Sequence, residues 1–117
     1  KSDENSMPGN TIARNSGGWF TKVKTVSLND VLAEYFPPNG PTYMSVDTEG
    51  SEYDILSSCD FDYYRPKILT VEHNFSDQNR KLDKLLSQFG YIRVFERFTD
   101  FDAWYVEEKV FDRLFRN

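Results

Sequence analysis

The feature that most restricts this chain is a change of hydrophobic period that recurs along it. Residues 19–26, Tyr43–Val46, Lys67–Val71, Tyr91–Arg97 and Ala103–Glu107 are short runs of the strand type, rich in β-branched and aromatic positions. Between them lie stretches whose apolar residues return every three or four positions. Leu28, Val31, Leu32, Tyr35 and Phe36 make one such helical face, with Ser27 as its cap and Pro37-Pro38 and Asn39-Gly40 as its stop. Ser51–Ser58 read as a shorter helix anchored by Tyr53, Ile55 and Leu56. A third helix opens at Ser76 or Asp77, aligns Leu82, Leu85, Leu86 and Phe89, and ends at Gly90. A final amphipathic turn or two carries Val110, Phe111, Leu114 and Phe115. Strand and helix thus alternate until two strands follow each other. That order predicts an α/β fold: parallel strands with covering helices, and a C-terminal antiparallel hairpin at one side. Residues 1–18, rich in Ser, Asn and Gly, are expected to be a polar loop or mobile arm, which leaves 19–117 as the folded unit.

A chain of 117 residues suits one small domain, and 16% aromatic content, ten Phe among them, is far above that of disordered chains. Trp19, Trp104 and most of the Phe residues are therefore assigned to the core. The net charge is −5, and Lys and Arg are scattered without a stripe, which argues against nucleic-acid binding. Cys59 is the lone cysteine, so an intrachain disulfide and a cysteine zinc site are excluded, and a reducing, cytoplasmic setting is expected. No apolar run approaches the ~20 residues of a membrane helix, so no membrane partner is expected. The chain opens at Lys1 and Met7 is not an obvious start, so it is expected to be a fragment of a longer protein.

Ligands of open α/β sheets bind beyond the carboxyl ends of the strands. Two of the strands in this chain end in polar clusters. One runs Asp47-Thr48-Glu49-Gly50-Ser51-Glu52 and the other Glu72-His73-Asn74. If their strands are parallel neighbours, the clusters share one rim. Asp47, Glu49 and Glu52 could bind a hydroxyl, an amine or a hard cation, although acidic residues also favour helix N-termini for the dipole alone. Gly50 is expected to adopt a left-handed backbone. His73, the only histidine, could serve as a general base, or be an ordinary polar strand end. Neither a glycine-rich phosphate loop nor a serine-nucleophile elbow occurs.

Four blocks occur in order: Val26-Ser27-Leu28-Asn29-Asp30-Val31-Leu32, then Met44 to Glu52 with Ile55-Leu56, then Arg65-Pro66-Lys67-Ile68-Leu69 with Val71-Glu72, and Gly90-Tyr91. In this order they resemble FkbM methyltransferases. The resemblance is read as covering roughly residues 23 to 106, around these blocks. Ser45 stands where the family usually has Lys, Asn29 where it has the first of two Asp, and Ser58 where Gly is common. The resemblance implies part of a Rossmann-like methyltransferase sheet, from the fourth strand onward. The glycine-rich loop and ribose-binding acid that hold S-adenosylmethionine would precede Lys1, so the isolated chain is expected to be inactive. It further implies methyl transfer to a hydroxyl or amine of a small molecule or sugar. Asp47 would lie near the methyl group, and Asp47, Glu49 and His73 are the catalytic candidates. Glu52, Glu72 and Asn74 would contact the acceptor, and no metal is implied.

Two other readings remain open at this level. Asp47, Glu49 and Glu72 could ligate a hard cation in a metal-dependent hydrolase. Alternatively, the chain could be an interaction module, forming a homodimer through a sheet edge that the absent strands leave exposed.

Overall fold

The computed structural model describes residues 10–14, 20–73 and 77–116. Its elements run β1 (Asn10–Arg14), β2 (Phe20–Lys24), α1 (Leu28–Tyr35), β3 (Tyr43–Val46), α2 (Glu52–Ser57), β4 (Ile68–Glu72), α3 (Gln78–Gln88), β5 (Tyr91–Val94), β6 (Asp102–Glu107) and α4 (Glu108–Phe115). Four strands form a mixed sheet in the order β3-β4-β6-β5. β3 and β4 are parallel, with Val46 beside Val71, while β6 runs antiparallel to both β4 and β5. The expected terminal hairpin is present, and its second strand enters the sheet beside β4.

The N-terminal part departs from expectation in two ways. Asn10–Arg14, placed by sequence within a loop, is a strand, because its backbone groups find partners on Phe20–Lys24. β2 in turn does not join the parallel sheet; it pairs with β1 alone in a separate two-stranded ribbon. Every position of β2 is exposed, so its apolar residues reflect strand propensity rather than burial in the main core. Trp19, Asn74 and Ser76 lie outside the described residues.

Strand alternation sorts the sheet's side chains onto two faces. Met44, Val46, Leu69, Val71, Ala103 and Tyr105 occupy the first, under Leu32 of α1, Leu56 of α2, and Leu82 and Leu86 of α3. The assignment of most Phe residues to the core is corrected. Phe61 is fully buried, but Phe20, Phe36, Phe95, Phe98, Phe101 and Phe115 are exposed. The second face has buried Thr70 and Val106, yet at β3 it opens to solvent, where Tyr43 is 52% exposed. The outer edge of β3 has no strand beside it among the described residues.

Local chemistry sets the helix ends. The Ser27 hydroxyl accepts the Asp30 amide at 3.1 Å, as its spacing predicts. Asn29, where the family has Asp, bridges α1 to the end of α2: its Nδ2 donates to the Ser58 carbonyl (3.0 Å) and its Oδ1 accepts the Asp60 amide (2.9 Å). An aspartate would lack the donor. Gly90 ends α3 at φ +81°, a left-handed backbone that favours glycine.

Arg65 ties the far end of the sheet together. Its guanidinium donates to the carbonyls of Phe61 and Phe89, both at 2.8 Å, and to Glu107 Oε2 at 3.0 Å. Glu107 meanwhile caps α4 by accepting the Lys109 and Val110 amides. A lysine cannot span three acceptors in one plane. Arg65→Lys is expected to lower stability by about 1–3 kcal/mol in urea denaturation.

Candidate active site

The parallel pairing of β3 and β4 brings their two carboxyl ends side by side. Asp47 follows Val46 directly, and Glu72 follows Val71. Glu72 therefore stands next to Asp47 on the second, open face of the sheet. Carboxylate oxygens of Asp47, Glu49 and Glu72 all lie within 4.8 Å of one another. Asp47 and Glu49 are exposed and Glu72 is half-buried. Asp102 is the register partner of Glu72 on β6.

The loop between β3 and α2 holds this arrangement. Glu49 and Gly50 both have positive φ, +58° and +114°. The glycine meets the expectation for its position, whereas Glu49 carries a conformation that side chains disfavour by about 1–2 kcal/mol. Glu52 holds the loop in place. It is 1% exposed, and its carboxylate accepts the Thr48 amide at 2.7 Å and the Gly50 amide at 3.1 Å. Burial alone would push its carboxyl up, but the amides of Thr48, Glu52 and Gly50 together with the Thr48 side chain outweigh it and hold the group below its ordinary value. Glu52 is thus a positioning residue, its oxygens turned into the loop.

Gln78, the first residue of α3, carries no signal in the sequence that singles it out. Its Oε1 accepts the Tyr53 amide at 2.7 Å, and its Nε2 donates to Glu52 Oε1 at 3.4 Å. It links the loop after β3 to the helix after β4. Ser51 makes no side-chain cap bond to α2 and turns its hydroxyl back to Thr48.

His73 sits apart from the carboxylates. It is one residue beyond Glu72, so it projects from the opposite face of the strand, where it is 4% exposed. Its amide donates to the Phe101 carbonyl at 2.9 Å. Burial lowers the affinity of its ring for a proton and the charge of Arg93 adds to this, with Asp102 and Asp83 opposing.

Electrostatics single out Glu72. Its proton is held by a hydrogen bond to Asp47, by burial, and by the charges of Asp47, Glu49 and Glu52, which push the carboxyl up to about 7. Its Oε1 is buried and without a hydrogen-bond partner among the described residues. The three carboxylates come close enough to meet a cation, but exposed acidic groups often do so without one, and the arrangement does not define a metal centre.

A groove of about 830 Å³ runs along the free edge of β3, between α1 and α2. Val26, Leu28, Val31, Val46 and Ile55 line it, together with Asp47. Asp47 therefore borders both the groove and the carboxylate cluster. Among the described residues no helix is long and apolar enough to cross a membrane.

An α/β sheet with adjoining polar strand ends and an open groove beside them is the framework of a ligand-binding enzyme domain. The model of the methyltransferase FkbM domain family matches residues 1–101. The chain belongs to that family of methyltransferases. No curated protein and no solved structure matches it.

The loop and His73 each yield a measurable outcome. Glu52→Ala removes the acceptor of two loop amides and is expected to lower stability by about 1–3 kcal/mol in urea denaturation. For His73 the folded value lies below the ordinary 6.5, so below that pH the unfolded chain takes up a proton that the folded chain refuses. Stability should accordingly fall as the pH drops through this window, and His73→Gln should flatten that part of a denaturation series against pH.

Proposed function

We propose that the chain is the acceptor-side portion of an S-adenosylmethionine-dependent methyltransferase acting on a hydroxyl of a small molecule or sugar. One observation carries this reading: Asp47 stands where the groove along β3 meets the carboxylate cluster. A residue in that place can face a methyl donor on one side and an acceptor on the other.

The free edge of β3 supports the second half of the proposal. In the doubly wound order 3-2-1-4-5-6 the fourth strand lies against the first. If β3 is that fourth strand, its open edge and the apolar groove are the seat of a cofactor-binding half carried elsewhere in the protein. The residues described fit one wall of such a site, with an apolar surface and the Asp47 carboxylate on it. S-adenosylmethionine, when bound, supplies a methyl group on an electrophilic sulfonium. This chain's own task is then to orient the acceptor hydroxyl and draw off its proton. Asp47 and Glu49 present exposed carboxylates for that work, while Glu52 and Gln78 fix the loop that carries them.

The test is calorimetric titration of S-adenosylhomocysteine into a longer protein containing this chain, with the chain alone as control. Binding to the longer protein only is expected; binding to neither would sink the reading. In the longer protein Asp47→Ala should lower turnover by about 10²–10⁴-fold with the fold intact. Near-normal turnover would remove Asp47 from the reaction.

A further inference from the structure

We propose that Asp47 and Glu72 act as one proton-sharing dyad that takes the proton of the acceptor hydroxyl, and that His73 is not that base. The proposal rests on the methyltransferase reading above and assigns its proton acceptor.

Strand register sets the geometry. Val46 pairs with Val71 in the parallel ladder, so the next residues, Asp47 and Glu72, leave adjoining strands at one level and on one face. They come from different strands, and the sheet itself fixes their separation. His73 is removed from the same site by the alternation that places Glu72 in it, and it is buried on the face that the helices cover. Of the acidic groups at the rim, Glu52 is engaged by two backbone amides and Gln78. Glu72 is different: its Oε1 is shut away from water and has no partner among the described residues. Such an oxygen is costly beside other carboxylates unless a proton resides on the pair.

The groups that face Glu72 all work in one direction. Asp47 at the end of β3, Glu49 in the loop and Glu52 from α2 are all acidic, and each raises the Glu72 carboxyl. Like charges this close cannot all ionise freely, so Glu72 holds a proton beside Asp47. Its carboxyl is pushed up to about 7, where a base is both populated and strong enough to be useful. Asp47 is the exposed member and touches the acceptor; Glu72, behind it, is the member on which the shared proton comes to rest.

In the transfer, the hydroxyl proton passes to the doubly ionised dyad and stays between the two carboxylates. The oxygen lone pair forms the new bond to the methyl carbon. The carbon–sulfur bond breaks with its electrons going to sulfur, so the sulfonium becomes a neutral thioether. Proton loss to solvent after product release resets the dyad.

The first test is a carbon-13 NMR titration of Asp and Glu carboxyl groups in this chain. One carboxyl should titrate near the displaced value of about 7, and the step should vanish in both Asp47→Asn and Glu72→Gln. Independent titration of Asp47 and Glu72 at ordinary values of about 4 would overturn the dyad. The second test uses the longer protein with S-adenosylmethionine, and with methyl glucoside and phenol as probe acceptors. Turnover should rise through the same pH, and Glu72→Gln should remove that limb and lower kcat by about 10²-fold, with Glu72→Asp restoring part of both. Full turnover and an unchanged limb in Glu72→Gln would overturn the proposal even with the NMR step present. Failure of the native protein to bind S-adenosylhomocysteine would instead count against the methyltransferase reading itself. A dyad that still titrates near 7 in that case would mark a proton-sharing site of another reaction, and its part in methyl transfer would fall.

Discussion

The buried carboxylate of Glu52 is the interaction on which the rest of the rim depends. A charged group 1% exposed is expensive unless its lone pairs are filled, and backbone amides fill them. The bonds to Thr48 and Gly50 force the chain back on itself directly after β3. That reversal accounts for the positive φ at Glu49 and Gly50 and delivers Asp47 and Glu49 to the same rim. Through Gln78 it also couples the turn to α3, so two crossover segments share one brace. The local strain at Glu49 is small beside the cost of an unfilled buried carboxylate, and so the loop has one conformation to adopt.

Much of the sheet is legible in the sequence because hydrophobic period is a local signal. The period delimits Tyr43–Val46 to the residue, and the other strands of the main sheet differ at their ends by one to three positions. β5 stops at Val94 and not at Arg97, because Phe95 takes a positive φ that breaks the extended run. What period does not encode is pairing. The run beginning at Trp19 has strand character, yet nothing in it reveals that its partner is a polar segment with the composition of a loop. Aromatic content misleads for a related reason. An exposed Phe98 has the composition of a core residue without the neighbours of one.

At the rim, the sequence shows which acids end the strands but not how they relate to one another. Asp47, Glu49 and Glu72 stand out together as strand-end acids, and the parallel ladder brings them together. Glu72 and His73 stand out together as adjacent residues, and adjacency on a strand is what parts them. Gln78 escapes notice because its role lies in two hydrogen bonds to residues 25 and 26 positions away. An amide near a helix start has no pattern that announces it as a brace.

Cys59 belongs to the core cluster, and burial together with the nearby charge of Asp60 pushes its thiol up to about 12. A thiol so placed is neutral at physiological pH and closed to reagents. It can react only when the layer over it opens, so its modification rate measures how often the packing of Leu56 and Phe61 loosens. With no other thiol in the sequence to compete, the chain carries its own single-site clock for local unfolding, set a few residues beyond the turn that forms the carboxylate rim.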